Sequence, residues 1–161
     1  MASKCFRKDI LEDSDNLAKE FHKVYCTDKN GKIREEDVEI KKLTDYWSNV
    51  YVSNTLWSKL RCVKIENEKI VDKDKEILIK VEHNRWNIEK LIMSYRHLTK
   101  EEQDKAKEDK NVKNQRKSEM AHLDICSNAR LIEIDEEAIS SDEKIVKNLI
   151  RIKKDFEAKK K

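Results

Sequence analysis

Residues 74–96 read DKEILIKVEHNRWNIEKLIMSYR and hold the clearest helical pattern in the chain. Apolar side chains recur there at helical intervals, as Ile77, Val81, Ile88, Leu91, Ile92 and Tyr95. This spacing predicts a helix whose apolar stripe packs into a core, with Asn84 or Arg85 on the seam of that stripe. The stretch therefore predicts a helical fold, and the next question is what its polar residues do.

A second, polar face of the same helix carries Glu82, Trp86 and Glu89. Arg85 lies three residues after Glu82 and four before Glu89, which is suitable spacing for ion pairs, and His83 lies on the adjoining strip. Three interpretations are open at this point. The residues form an exposed salt-bridge ladder, a half-buried polar knot around the Trp, or the wall of a pocket for an anionic ligand.

The composition favours a folded, mainly α chain. Of 161 residues 43% are charged, but Ile, Leu, Val and Phe make up about a quarter, which is enough for a core. With no Pro and one Gly the usual helix breakers are almost absent. We therefore expect one small helical domain over residues 1–161, built of two weakly related helical halves (8–65 and 74–152), with room for short β pairings at the connectors.

Three further segments follow from the same reasoning. Helices are expected over residues 8–25 and 43–62, and short final helices after residue 119. Residues 99–119 are almost entirely charged or polar, so this insertion should bury no face and form either a solvated helical arm or a disordered loop. The basic tail, 153–161, is interpreted as a solvated helix end.

Charge and cysteine usage bear on partners and location. The net charge is +3 with both signs interspersed, which makes nucleic acid an unlikely partner. The four Cys residues form no CxxC pair and the four His residues show no metal-binding spacing, so we expect reduced thiols, no metal and no cofactor. No signal peptide and no long apolar run is present, and the expected location is the cytoplasm.

No catalytic motif is visible. The chain has neither a Gly-rich phosphate loop nor a nucleophile elbow, and nothing marks a Cys as activated. The sequence therefore favours no particular reaction.

The sequence contains a weak internal repeat, which we call the internal echo. Glu20-Phe21-His22 with Tyr25 in the first half is similar to Glu82-His83 with Trp86 in the second, and both are followed by a polar connector and an apolar helix. Two related halves would bury a core together that neither could bury alone. This echo is the basis for the two predicted halves.

The chain resembles bacterial members of the RyR domain family, named for repeats in ryanodine receptors. The resemblance covers about residues 17–152 and rests on Glu82, His83, Arg85 and Trp86, with weaker matches at His22 and Tyr25, Lys59-Leu60-Arg61, Tyr95-Arg96, His122-Leu123 and Leu131. Ser94 and Leu123 stand where many members have Gly and Pro, and residues 99–119 are an insertion, which alters the rim of any pocket.

The resemblance implies a small α-helical, non-enzymatic recognition or sensor module whose ligand is a small anionic, nucleotide-like molecule. On that view Arg85 and Arg96 hold the anionic group, Trp86 stacks, and Glu82 with His83 orients polar atoms. The candidate ligand-binding set is Glu82, His83, Arg85, Trp86, Glu89, Arg96 and His122. The alternative is a structural or protein-interaction domain in which the same residues only hold helices together.

Overall fold

The protein is mainly helical, with two short strand pairs at connectors, as predicted. A computed structural model describes residues 2–28, 31–33, 37 and 39–159. The elements are α1 (Ala2–Cys26), α2 (Leu43–Asn54), α3 (Leu56–Arg61), β1 (Ile65–Glu66), β2 (Lys69–Ile70), α4 (Asp72–Ile92), β3 (Arg96–His97), α5 (Lys100–Glu108), α6 (Lys110–Ser118), β4 (Ala121–His122), α7 (Asn128–Ile134) and α8 (Glu136–Ala158). Within the described part of the chain, none of these helices combines the length and apolarity needed to cross a membrane.

The chain divides into two compact units. The first comprises residues 1–75 and 144–161, and the second residues 76–143. Residues 144–161 therefore belong with the N-terminal part of the chain, whereas the second predicted half continues to residue 152. Whether the two halves are related stays a prediction.

The first unit is organised by α1 packing on α2. Phe21 of α1 is fully buried, and the phenol of Tyr46 on α2 donates a hydrogen bond to Asp15 at 2.5 Å. The core of this unit is completed by aliphatic side chains of α3 and α8, among them Leu56, Ile145, Leu149 and Ile152. Burial of these aliphatic groups supplies most of the stabilisation of the unit.

Three predicted helices differ from the structure in their bounds. The first helix begins at Ala2 rather than at residue 8, and the helix predicted over 74–96 ends at Ile92, two residues before Ser94 with its positive φ. The expected helix over 43–62 is interrupted at Thr55, whose hydroxyl donates to the carbonyl of Val52 at 2.8 Å. Such local side-chain hydrogen bonds compete with the helical pattern, so α2 ends there and α3 restarts at Leu56.

Short strands form in three of the connectors between the described helices. The hairpin β1–β2 turns through Asn67 and Glu68, both with positive φ, as a two-residue type I′ turn requires. In the second unit β3 pairs in parallel with β4, with His97 opposite His122. This pairing places Arg96 and His97, shortly after α4, beside residues that are 25 positions further along the chain.

Residues 99–119 form two ordered helices, and the prediction that they bury no face is wrong for α5. Ala106 is 1% exposed and lies in the core cluster of the second unit with Leu98, Ala121, Leu123 and Ile134. Thr99 and Glu102 form a reciprocal capping box that fixes the start of α5, and Asp109 caps α6. Helix caps and one small apolar residue are therefore sufficient to pack this charged segment against the core of the second unit.

The predicted orientation of α4 is wrong. The residues expected in the core are 42–64% exposed, namely Ile77, Val81, Ile88, Leu91 and Ile92. Glu82, His83 and Glu89 on the opposite side are at most 2% exposed. The prediction failed because a hydropathy pattern assigns every charged side chain to the exposed side of a helix. Charged groups that neutralise and hydrogen-bond one another can be buried together.

Candidate functional site

The buried side of α4 in the second unit carries an acid–base clamp. Arg85 donates from Nε to Glu82 Oε1 at 2.7 Å and from Nη1 to Glu89 Oε2 at 2.6 Å. Lys90 adds a third contact, with Nζ 3.0 Å from Glu89 Oε1. Burial lowers the pKa of Arg85, but the two carboxylates outweigh this effect and raise it, so the guanidinium stays charged. Two acids and two bases therefore balance in the helix, in the pairing that the sequence spacing predicts.

His83 is fixed by two acceptors from other parts of the second unit. Nε2 donates to the carbonyl oxygen of Cys126 at 2.9 Å, and Nδ1 lies 3.4 Å from Asp142 Oδ2. Burial lowers the pKa of His83, but the hydrogen bonds to Asp142 and Cys126 raise it to about 10. Both ring nitrogens therefore carry protons, and His83 is a buried cation at neutral pH and not a free base.

An aromatic cluster of Trp86, Tyr95 and His122 lies next to the clamp. The ring of His122 meets Trp86 edge to face at 5.0 Å between centroids and Tyr95 at 6.2 Å. The ammonium group of Lys90 lies 5.4 Å from the Trp86 ring and 5.9 Å from that of Tyr95, within cation–π distance of both. His122 reaches this position because β4 pairs with β3 directly after α4.

The environment of His122 is positively charged. Burial and the charges of Lys117, Lys90 and Lys113 together lower the pKa of His122 to about 3. Nδ1 accepts the backbone N–H of Asp124 at 3.3 Å, which leaves the proton of the neutral ring on Nε2. His122 is therefore a neutral ring in a cationic field, and that field favours negative charge nearby.

Several buried polar atoms near these residues make no hydrogen bond. They are Asn87 Oδ1, Asp124 Oδ1 and Asn128 Nδ2, although the amide nitrogen of Asn87 donates to the Cys126 carbonyl at 2.7 Å. Burial also raises the pKa of Asp124 to about 6. Unsatisfied buried polar atoms are rare in folded proteins and cluster where a function requires them.

The structure groups most of the predicted site residues. Glu82, His83, Arg85, Trp86, Glu89 and His122 all lie in or beside the clamp and the aromatic cluster. Arg96 differs, because its exposed guanidinium makes a bidentate pair with Glu102 at 3.0 Å. That pair lowers the pKa of Glu102 to about 2 and belongs to the cap of α5.

Sequence reasoning missed Asp124, Asn128 and Asp142 as members of this site. Asn128 follows Ser127, the N-cap of α7. Polar residues are common at the start of a helix, so Asn128 does not stand out in the sequence. Asp142 follows His83 by 59 positions and meets it only through the tertiary structure. No local pattern identifies such a partner.

No protein-family model, curated protein or solved structure matches the chain. The resemblance to RyR domains therefore stays a prediction, carried by the residues around Glu82 to Trp86.

Proposed function

We propose that the chain is a recognition module, not an enzyme, and that its second unit binds a small anionic molecule of nucleotide-like chemistry. The observation that carries this proposal is the aromatic cluster of Trp86, Tyr95 and His122 beside Lys90, in the field of Lys117. A planar base stacks on aromatic rings, and a phosphate is attracted by ammonium groups. These are the two halves of nucleotide recognition.

The arrangement of charges favours Lys117 as the anion-binding group, because Lys90 is held by Glu89 at 3.0 Å and the arginines are held as well. Nε and Nη1 of Arg85 are held by two buried carboxylates, and Arg96 is held by Glu102. Trp86 and Tyr95 are only half-buried, so part of each ring is accessible to a ligand. The role of Arg85 is then to compensate the two buried carboxylates of its own helix.

The polar atoms without partners support the same location. Asn87 Oδ1 is one such atom, on α4 next to Trp86 in the chain. Recognition fits better than catalysis, because His83 uses both ring nitrogens within the protein and is 2% exposed. The proposal includes a cytoplasmic location, which suits cysteines that are thiols rather than disulfides, such as Cys62 and Cys126.

The test is isothermal titration calorimetry with mononucleotides, cyclic mono- and dinucleotides, and inorganic phosphate. At least one nucleotide should bind with a Kd below about 1 mM. Lys117→Gln should weaken binding tenfold or more, whereas Lys110→Gln on the same exposed helix should not, and neither should alter folding. Absence of nucleotide binding, or equal affinities of the two variants, contradicts the proposal.

A second candidate is a structural or protein-interaction domain without a small ligand. The observation that favours it is the full pairing of the clamp, which needs no ligand to be satisfied. This candidate predicts that Trp86→Ala lowers the free energy of unfolding by about 3–5 kcal/mol. It also predicts that no compound of the panel shifts the melting temperature, and a shift of several degrees would exclude it.

A further inference from the structure

The outward side of α4 in the second unit is a continuous apolar seam. We define the α4 seam as Ile77, Val81, Asn84, Ile88 and Leu91, with Ile92 at its edge. All six residues are exposed, and the five apolar ones are 42–64% exposed. Together they present on the order of 500 Å² of apolar surface, the size of the largest apolar patch on a typical monomer, and such patches are often functional.

The spacing of the seam is that of a coiled coil. Successive members are four, three, four and three residues apart, which places Ile77, Asn84 and Leu91 at d positions and Val81 and Ile88 at a positions of a heptad. β-Branched residues at a favour two-stranded parallel coils when Leu stands at d, and of the three d positions here Leu91 carries a Leu. A surface helix that only covers its own core places this stripe inward, and here the stripe is outward.

We propose that the α4 seam binds the α4 seam of a second copy of this chain, forming a parallel homodimer. Asn84 determines both the partner and its direction. In a parallel pair Asn84 meets Asn84 of the second copy, and the two amides satisfy each other. In an antiparallel pair each Asn84 would face Ile88 or Val81 and lose its hydrogen bonds on burial.

The area of the seam is compatible with a weak dimer. Two copies would bury about 1,000 Å² in total, at the lower end of specific interfaces. We therefore expect a Kd on the order of micromolar. The aromatic cluster and the clamp use the opposite side of α4, so the dimer does not depend on the proposed ligand site.

The first experiment is sedimentation velocity of the full chain at several concentrations between about 2 and 200 µM. The wild-type chain should pass from monomer to dimer over this range. Ile88→Lys should stay monomeric, with association weakened at least tenfold. Ile132→Lys is the matched control, because Ile132 is also an exposed Ile of the second unit, 59% against 57%, and lies outside the seam.

Circular dichroism checks that both variants keep the helical content of the wild type. A wild-type chain that stays monomeric at 200 µM overturns the proposal. Equal association of the two variants overturns it as well.

The second experiment tests the direction of the dimer. Leu91→Cys is introduced into a chain that keeps Asn84 and whose Cys5 and Cys62 are replaced by Ser, and the protein is oxidised at a concentration where it is dimeric. Leu91 is also a d position, so a parallel pair places the two Cys side chains opposite each other, and a disulfide-linked dimer should form. Ile132→Cys in the same background should give little cross-linking. A dimer that persists without cross-linking through position 91 overturns the parallel arrangement.

Discussion

Replacing Arg85 with Met tests whether the clamp stabilises the second unit. The substitution keeps the length and apolar stem of the side chain and removes the guanidinium. It leaves Glu82 without the Nε contact at 2.7 Å and Glu89 without the Nη1 contact at 2.6 Å. Both carboxylates are 1% exposed, so water does not replace the lost donors.

The expected loss follows from these contacts. A hydrogen bond to a charged group contributes about 1.5–3 kcal/mol, and two such bonds are lost. Removal of one partner from a buried ion pair costs about 3–5 kcal/mol, because the remaining charge is uncompensated. Lys90 lies 3.0 Å from Glu89 and still compensates the charge of that carboxylate, which reduces the loss of stability. We expect Arg85→Met to lower the free energy of unfolding by about 3–5 kcal/mol.

The assay is urea denaturation at pH 7 followed by circular dichroism, with Arg130→Met as a matched control. Arg130 also bridges two acids, Asp104 at 2.7 Å and Glu133 at 2.8 Å, but these side chains are 53% and 63% exposed. Solvent screens that bridge, so the control should change the unfolding free energy little. Each Arg bridges two acids at hydrogen-bond distance, and the exposure of those acids is what differs.

A charge-neutral variant separates lost charge balance from lost packing. Adding Glu82→Gln and Glu89→Gln to Arg85→Met removes the uncompensated charges and should restore at least half of the loss. Lowering the pH to about 4.5 should also narrow the deficit of Arg85→Met, since the carboxylates then take up protons. A loss equal to that of Arg130→Met, or no recovery in the neutral variant, would refute the clamp as a stabilising element.

Two further predictions concern pH. His83 has a folded pKa of about 10, above its ordinary 6.5, so its stabilising contribution is complete below pH 6.5 and is lost as the pH rises towards 10. The urea midpoint of the wild type should therefore fall between pH 7 and pH 9, and His83→Asn should fall less. Asp124 has a folded pKa of about 6, above its ordinary 3.8, so its ionised form destabilises the protein above pH 6. Asp124→Asn should thus raise the unfolding free energy by about 2–3 kcal/mol at pH 7.5 and leave it unchanged at pH 3.5, and an equal gain at both would contradict the assignment.

Much of the fold is predictable because its signals are local. The scarcity of Gly and Pro predicts helices, and the spacing around Arg85 predicts its two ion pairs; both are confirmed. The break at Thr55 and the docking of α5 through Ala106 were not predicted, because each depends on one hydrogen bond or one small contact. A hydrophobic pattern is read over many residues, so it does not reveal a single contact of this kind.

The site was predictable only in part, for a different reason. Glu82, His83 and Trp86 stand close together in the sequence, and so pattern and resemblance both find them. Their partners Asp142 and Cys126 come from distant segments, and the pairing of β3 with β4 brings in His122. Long-range pairs leave no spacing signal in a single sequence.

The inverted orientation of α4 links the clamp to the proposed dimer. A buried ion-pair network is seldom more stable than apolar residues of the same volume, so the clamp is not the most stable way to dock this helix. An apolar stripe on the other side of the helix was available for that purpose, and the fold leaves it exposed. The rotation of α4 is fixed by His83 and Asn87 beside the clamp, because both donate to the carbonyl of Cys126 in another segment of the unit. That rotation directs the α4 seam outward, where a second helix with the same heptad spacing can meet it.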